Sequence, residues 1–197
     1  LAAANEVGDE LLAPAFSAIR AANDGTVSEP ALRAAFAECW RCAFDFVAEK
    51  YGFTAAMRAA GWAAYARTEV NVPMYGYGDL PVLQELPVQR FLVTSGFRRL
   101  QTSKVRALGF ADGFADVQID AIDEPARKGK YGLFQELLAS HRLRPEEVLV
   151  VGDNPDSEIA AGNRLGMQTI QILRPGVTRS NAAAAHVNNL TELKKLL

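Results

Sequence analysis

The sequence predicts an α/β fold in which a helical module precedes a parallel sheet flanked by helices. Two observations carry that expectation. Apolar residues recur at helical spacing up to about residue 88, and from there short β-runs alternate with helical stretches of about ten residues. Such alternation builds βαβ units, whose strands are parallel and whose sheet faces are covered by helices.

The helical part reads element by element. Leu11, Leu12, Ala15, Phe16, Ile19 and Ala22 lie three and four apart, and Asn23-Asp24-Gly25 stops the pattern. Ser28 is a fitting N-cap with Pro30 in the first turn, opening a long helix to about Lys50. Its stripe is Leu32, Phe36, Trp40, Ala43, Phe44 and Val47, and Tyr51-Gly52 breaks it. A third helix is expected from Thr54 to Glu69, with Met57, Ala60, Ala64 and Tyr65 on one face. Trp40, Trp62 and Tyr65 are placed either in the bundle or on an exposed face. An irregular segment follows, NVPMYGYGD, ending at Asp79; its Tyr75-Gly76-Tyr77-Gly78 reads as a linker, a hinge or a ligand contact. Leu80 to Leu86 is a short helix closed by Pro87. Cys39 and Cys42 fall on one face of the second helix and read as small buried side chains. A metal half-site would need a second pair, and His141 and His186 are remote.

The second part gives strands at 90–94, 117–119, 147–151 and 169–173. Helices are expected over 98–108 (stopped by Gly109), 131–141, 157–165 (stopped by Gly166) and 190–197, the last capped by Asn189 or Thr191.

Composition narrows the functional classes. The 197 residues are 49% apolar and 22% charged, enough for one sizeable core or a core with an insert. A net charge of -2 provides no single-sign field for nucleic acid or an anionic membrane. No apolar run approaches the roughly 20 residues that span a bilayer, and no signal-peptide pattern opens the chain. The expected setting is the cytoplasm, as a monomer or homodimer. Leu1 stands where a Met is usual, so the chain reads as part of a longer reading frame.

In open α/β sheets ligands bind beyond the carboxyl ends of the strands, and three of these exits are chemically loaded. Thr94-Ser95-Gly96 puts two hydroxyls and a flexible glycine at one tip, suited to phosphate oxygens. Asp153 directly follows the apolar run ending in Gly152, with Asp156 and Glu158 at the mouth of the next helix. Clustered carboxylates there suit magnesium, which takes oxygen ligands and keeps several waters. Arg127-Lys128-Gly129-Lys130 lies ahead of a helix, where a lysine can neutralise a phosphate or a carboxylate. A nucleophile is missing from this set.

These motifs resemble the haloacid dehalogenase-like (HAD) hydrolase superfamily, phosphatase-like branch with a helical cap, over nearly the whole chain. LVTSG at 92–96 is similar to the family's second motif, and on that match Thr94 binds phosphate together with Ser95 and Gly96. EEVLVVGDNPDSEIAAGNRLGMQTI at 147–170 resembles the fourth motif, which implies that Asp153 is a metal ligand. Five residues on, Glu158 stands where an Asp is usual, with Asp156 as a local substitute. The third-motif lysine is Lys130, four before Phe134, or Lys128, six before it; the spacing favours Lys130. The first motif, DxDxT, is absent, and neither Asp9 nor Asp24 replaces it, because neither follows an apolar strand.

The resemblance implies a Rossmann-like three-layer core with a parallel sheet over 89–197 and an N-terminal helical cap over 1–88. The strand carrying DxDxT would lie upstream of Leu1. It further implies a Mg2+-dependent phosphomonoester hydrolase of a small phosphorylated metabolite, working through an aspartyl phosphate. Thr94, Lys130 (or Lys128) and Asp153 are its expected catalytic residues, and Asp153, Glu158 and Asp156 its metal set. A non-catalytic binding protein and a metal-independent 2-haloacid dehalogenase are the alternatives. A dinucleotide-binding domain is disfavoured because no GxGxxG opens a βαβ unit.

Overall fold

A computed structural model describes residues 9–197, so the first eight residues of the expected cap lie outside it. Helix α1 (Ala13–Ala21) ends in a turn that Asn23 closes by bonding both main-chain groups of Val27. Helix α2 (Glu29–Glu38) begins as expected, with the Ser28 hydroxyl accepting from Ala31 N at 3.4 Å and Pro30 in the first turn.

The long helix expected to reach Lys50 is two helices. The chain leaves α2 at Cys39, is extended at Ala43 (ψ 144°), and re-enters as α3 (Phe44–Lys50). Tertiary contacts supply the reason. The bend turns Phe44 inward, 5.0 Å from the Tyr65 ring and 6.4 Å from Phe97, and lets Arg41 donate to the carbonyls of Pro175 (3.0 Å) and Gly176. Packing of this kind outweighs a few tenths of a kcal/mol per residue of helix propensity. Cys39 and Cys42 therefore sit in a turn rather than along a helix face. Both are free and half-buried, and burial pushes both thiols up to about 11. Helix α4 (Ala55–Tyr65) is capped by Thr54 but stops short of Glu69, where Thr68 folds its hydroxyl back onto Ala64 O at 3.1 Å. Tyr65 is buried within the bundle, whereas Trp62 is 37% exposed.

Leu12, Ile19, Leu32, Val47 and Met57 are all but sealed from solvent, and their cluster continues into Phe97 and Leu100 beyond the first strand. Each such side chain contributes about 1.5–3 kcal/mol on burial. The helical module and the start of the α/β part thus share one apolar core.

Strand β1 (Phe91–Gly96) pairs in parallel with β2 (Asp116–Ala121), crossing over through α5 (Arg98–Leu108), which ends at left-handed Gly109. Strands β3 (Leu149–Gly152), β4 (Gln168–Ile172) and β5 (Ala185–Val187) form a second parallel group. Helix α6 (Gly129–His141) joins the two groups. Helix α7 (Ala160–Arg164) follows a wide π-type turn at Pro155–Ile159, and α8 (Leu190–Lys194) is capped by Asn189. Glu147 belongs to a 3-10 turn before β3, since its carboxylate accepts from Arg144 N at 2.8 Å. β5 has only Ala-His-Val to announce it and shows no strand signal in the sequence. No helix among the described residues is long and apolar enough to cross a membrane.

The facing edges of β1 and β3 have no ladder partner among the described residues. Between them lies an apolar cavity of about 610 Å³, walled by Leu92, Val93, Val150, Val151 and Phe134, with Asp153 and Glu158 at one end. Away from the strand exits, Asp79 pairs with Arg174 at 2.8 Å and accepts from Leu190 N, while Arg174 lies over Tyr77. Tyr77 is thereby anchored, and Tyr75 is exposed.

Candidate active site

The exit of β1 presents Thr94, Ser95 and Gly96. Thr94 is buried and its hydroxyl donates to Gln101 Oε1 at 3.2 Å. Ser95 is half-buried, and buried Gly96 adopts φ 145°, with no room for a Cβ beside the Gln101 amide.

The exit of β3 is shaped by Gly152. A Cβ there would stand 2.6 Å from Glu158 Cβ, so only glycine lets the following π-type turn fold Glu158 back against the strand end. Asp153 and Glu158 come to share one recess. Lys130, in the first turn of α6 and 9% exposed, reaches into it from the opposite wall. Its Nζ donates to Glu158 Oε1 at 2.6 Å and to Val93 O at 2.9 Å, linking the two strand groups at the end of the cavity.

The two carboxylates are biased in opposite directions. Burial, and then the facing Glu158 charge, hold Asp153 above the ordinary carboxylate range. Burial also penalises Glu158, but the Lys130 charge and hydrogen bond outweigh it and hold Glu158 below its ordinary value. Glu158 Oε2 is buried with no hydrogen-bond partner among the described residues.

The structure thus brings Asp153, Glu158 and Lys130 together and sets Thr94, Ser95 and Gly96 at the neighbouring exit. Lys128 and Asp156 stay outside. Lys128 pairs with Glu136 on the outer face of α6, and Asp156 is exposed, its main-chain N–H donating to Asn154 Oδ1 at 2.9 Å.

Two contributing residues, Asp120 and Arg127, had been given no role from the sequence. Asp120, 2% exposed at the end of β2, accepts from Gly129 N at 3.0 Å and so seats the first turn of α6 that carries Lys130. Arg127 pairs with Asp120 at 3.1 Å and with Asp45 of the helical module. An apolar strand running into an Asp, followed by a basic turn, was the available signal. The Cys39–Asp45 turn covers these exits, with Cys42 Sγ 4.0 Å from the Asn154 amide.

Asp153 and Glu158 are hard oxygen donors, and Glu158 Oε2, which has no partner among the described residues, stands beside Asp153. No group of three or more metal-ligating side chains forms among the described residues. The pair fits as two ligands of a hard divalent cation that retains water.

Residues 24–166 match the family described as haloacid dehalogenase-like hydrolase. Among curated proteins, glyceraldehyde 3-phosphate phosphatase of Methanopyrus kandleri is 34% identical over 123 residues, 59% of this chain and 51% of that protein. Ribulose-1,5-bisphosphate 5-phosphatase of Halopiger xanaduensis is 28% identical over 119 residues, 60% of this chain and 49% of that protein. The match thus spans about half the length of these relatives. Solved structures share the fold. The HAD-hydrolase YfnB of Bacillus subtilis bound to magnesium superposes with a TM-score of 0.59 at 17% identity, covering 98% of this chain and 83% of that one. A HAD phosphatase of Thermococcus onnurineus gives 0.56 at 20%, covering 92% and 77%.

Proposed function

The chain belongs to the haloacid dehalogenase-like hydrolases, and we propose that it supplies the phosphate-binding and metal-binding half of a phosphomonoester hydrolase acting on a small phosphorylated metabolite. One observation carries the reading: the buried Lys130–Glu158 pair stands beside Asp153 at the exit next to Thr94, with a Glu158 oxygen left unpartnered among the described residues. The curated relatives, both phosphatases of small phosphorylated sugars by their names, support the substrate class.

In this reading residues 1–88 form the cap and 89–197 the core. The cavity between β1 and β3 takes a parallel apolar strand bearing the two acidic residues of the family's first motif. Such a strand pairs with both open edges and ends beside Thr94 and Asp153. Its first carboxylate attacks phosphorus, forming an acyl–phosphate bond as the ester P–O bond breaks. Its second acid protonates the leaving oxygen and then takes a proton from the water that hydrolyses the acyl phosphate.

Magnesium, when bound by Asp153 and Glu158, supplies positive charge against the phosphoryl oxygens. Lys130 adds a fixed cation and holds Glu158 ionised, ready to ligate. Thr94 and the Ser95 amide bind a phosphoryl oxygen, which requires the Thr94 hydroxyl to leave Gln101. The Cys39–Asp45 turn, latched by Arg41 and Arg127, excludes water from the recess. In the protein, Asp153→Ala is expected to abolish Mg2+-dependent hydrolysis of p-nitrophenyl phosphate; unchanged turnover overturns the assignment.

A further inference from the structure

Strand β4 is buried along most of its length yet carries a sealed amide one residue before its end. Gln171 is 0% exposed and sits opposite Gly152 in the parallel register. An amide sealed from water costs free energy unless its hydrogen-bonding groups are met. Here three bonds meet them. Nε2 donates to Asp153 O at 3.1 Å and to Thr178 O at 3.0 Å, and Oε1 accepts from Ser180 N at 2.8 Å. One side chain thereby ties the main chain of Asp153 to the 178–180 loop, whose earlier residues Pro175 and Gly176 receive Arg41 from the helical module.

We propose that Gln171 is a positioning residue for the metal site: it fixes the Asp153 backbone, and through it the direction of the Asp153 carboxylate, against the 178–180 loop. This rests on the reading of Asp153 as a metal ligand. Such a role matches the general finding that groups orienting a ligand matter roughly 10–100-fold for metal affinity or activity when removed. It also accounts for a polar residue where a buried parallel strand ordinarily carries Val, Ile or Leu.

The test is equilibrium binding of Mg2+ alone by calorimetry, with Mn2+ binding followed by electron paramagnetic resonance as a second probe, on wild type, Asp153→Asn, Gln171→Met and Gln171→Glu. Gln171→Met keeps the shape and removes all three bonds. Gln171→Glu keeps the acceptor for Ser180 N and is the variant that decides if the Met protein does not fold. The expected result is a metal Kd raised about 10-fold or more by either Gln171 variant. At saturating Mg2+ the phosphoester KM stays unchanged. A folded Gln171 variant with a lower Tm but the wild-type metal Kd overturns the proposal and leaves Gln171 a packing residue. If Asp153→Asn itself binds Mg2+ like wild type, the metal reading of Asp153 falls, and this proposal falls with it. If Asp153→Asn loses binding while the Gln171 variants keep it, only the role of Gln171 falls.

Discussion

The helical module and the strand groups close their interiors to different degrees. In the module, α1 to α4 interlock around side chains such as Ile19, Val47 and Met57, each 0% exposed, and among the described residues only the Tyr65 hydroxyl is buried without a partner. The strand half holds a cavity of about 610 Å³ between β1 and β3, and three unpartnered buried groups, on Gln118, Glu158 and Arg174. The contrast assigns different physical tasks to the two halves. Packing stability concentrates where no chemistry is expected. The half bearing the carboxylates and the lysine keeps two of these residues, Glu158 and Arg174, lining a space that another segment or ion can fill.

The sharpest way to break this contrast is Lys130→Met, which strikes the strand half alone. It removes the cation at the recess and the partner of Glu158, so kcat on p-nitrophenyl phosphate is expected to fall about 10²–10³-fold. A kcat within twofold of wild type would show that the buried pair is architectural. Gly61→Val strikes the other half. A Cβ at Gly61 would overlap the Phe44 ring and stand 3.0 Å from Ile19 Cγ1, inside a packed aromatic cluster. Overpacking there should cost about 2–3 kcal/mol and lower Tm by roughly 5–10 °C, with kcat at 25 °C retained in the folded fraction. Thermal melts alongside turnover check both outcomes.

A smaller effect, of opposite sign, sharpens the comparison. Asp153 has a folded pKa raised above its unfolded value near 3.8. The native state therefore binds that proton more tightly, and stability declines as pH rises through the folded pKa. Asp153→Asn removes the penalty. In metal-free buffer it should raise Tm at pH 7, with the gain shrinking as pH falls toward the unfolded value near 3.8. Glu158 runs the other way. Its pKa is depressed, so the stability it contributes is present above its unfolded value near 4.5 and is lost as pH falls through the folded one. A Tm gain that is flat with pH would contradict the assigned burial of Asp153.

What the sequence made legible follows from how local each signal is. Ser28 and Asn189 cap their helices within three residues, and Gly109 ends α5 with a left-handed turn. Such features need no distant partner. The break at Cys39–Ala43 was invisible because its causes, Tyr65, Phe97 and the carbonyls of Pro175 and Gly176, come from far along the chain. The recess shows the same division. Asp153 and Glu158 were readable beyond an apolar run and Lys130 in a basic run ahead of a helix, whereas Asp120, Arg127 and Gln171 act through contacts that only the folded register creates. Lys128 and Asp156 show the converse, residues of the right type and spacing whose side chains the fold turns outward.

Phe97 follows directly on the β1 exit and stacks on Tyr65 at 5.2 Å and 8°, meets Trp62 edge-on at 4.9 Å, and lies 6.4 Å from Phe44. Any swing of the helical module away from the recess parts all three ring pairs. At about 1 kcal/mol each beyond area burial, they add to the shared apolar core and to the Arg41 and Arg127 contacts that hold the module against the strand half. Truncating this one ring removes all three pairs at once and loosens the cover over the β1 exit, at a residue that lends the site no polar atom.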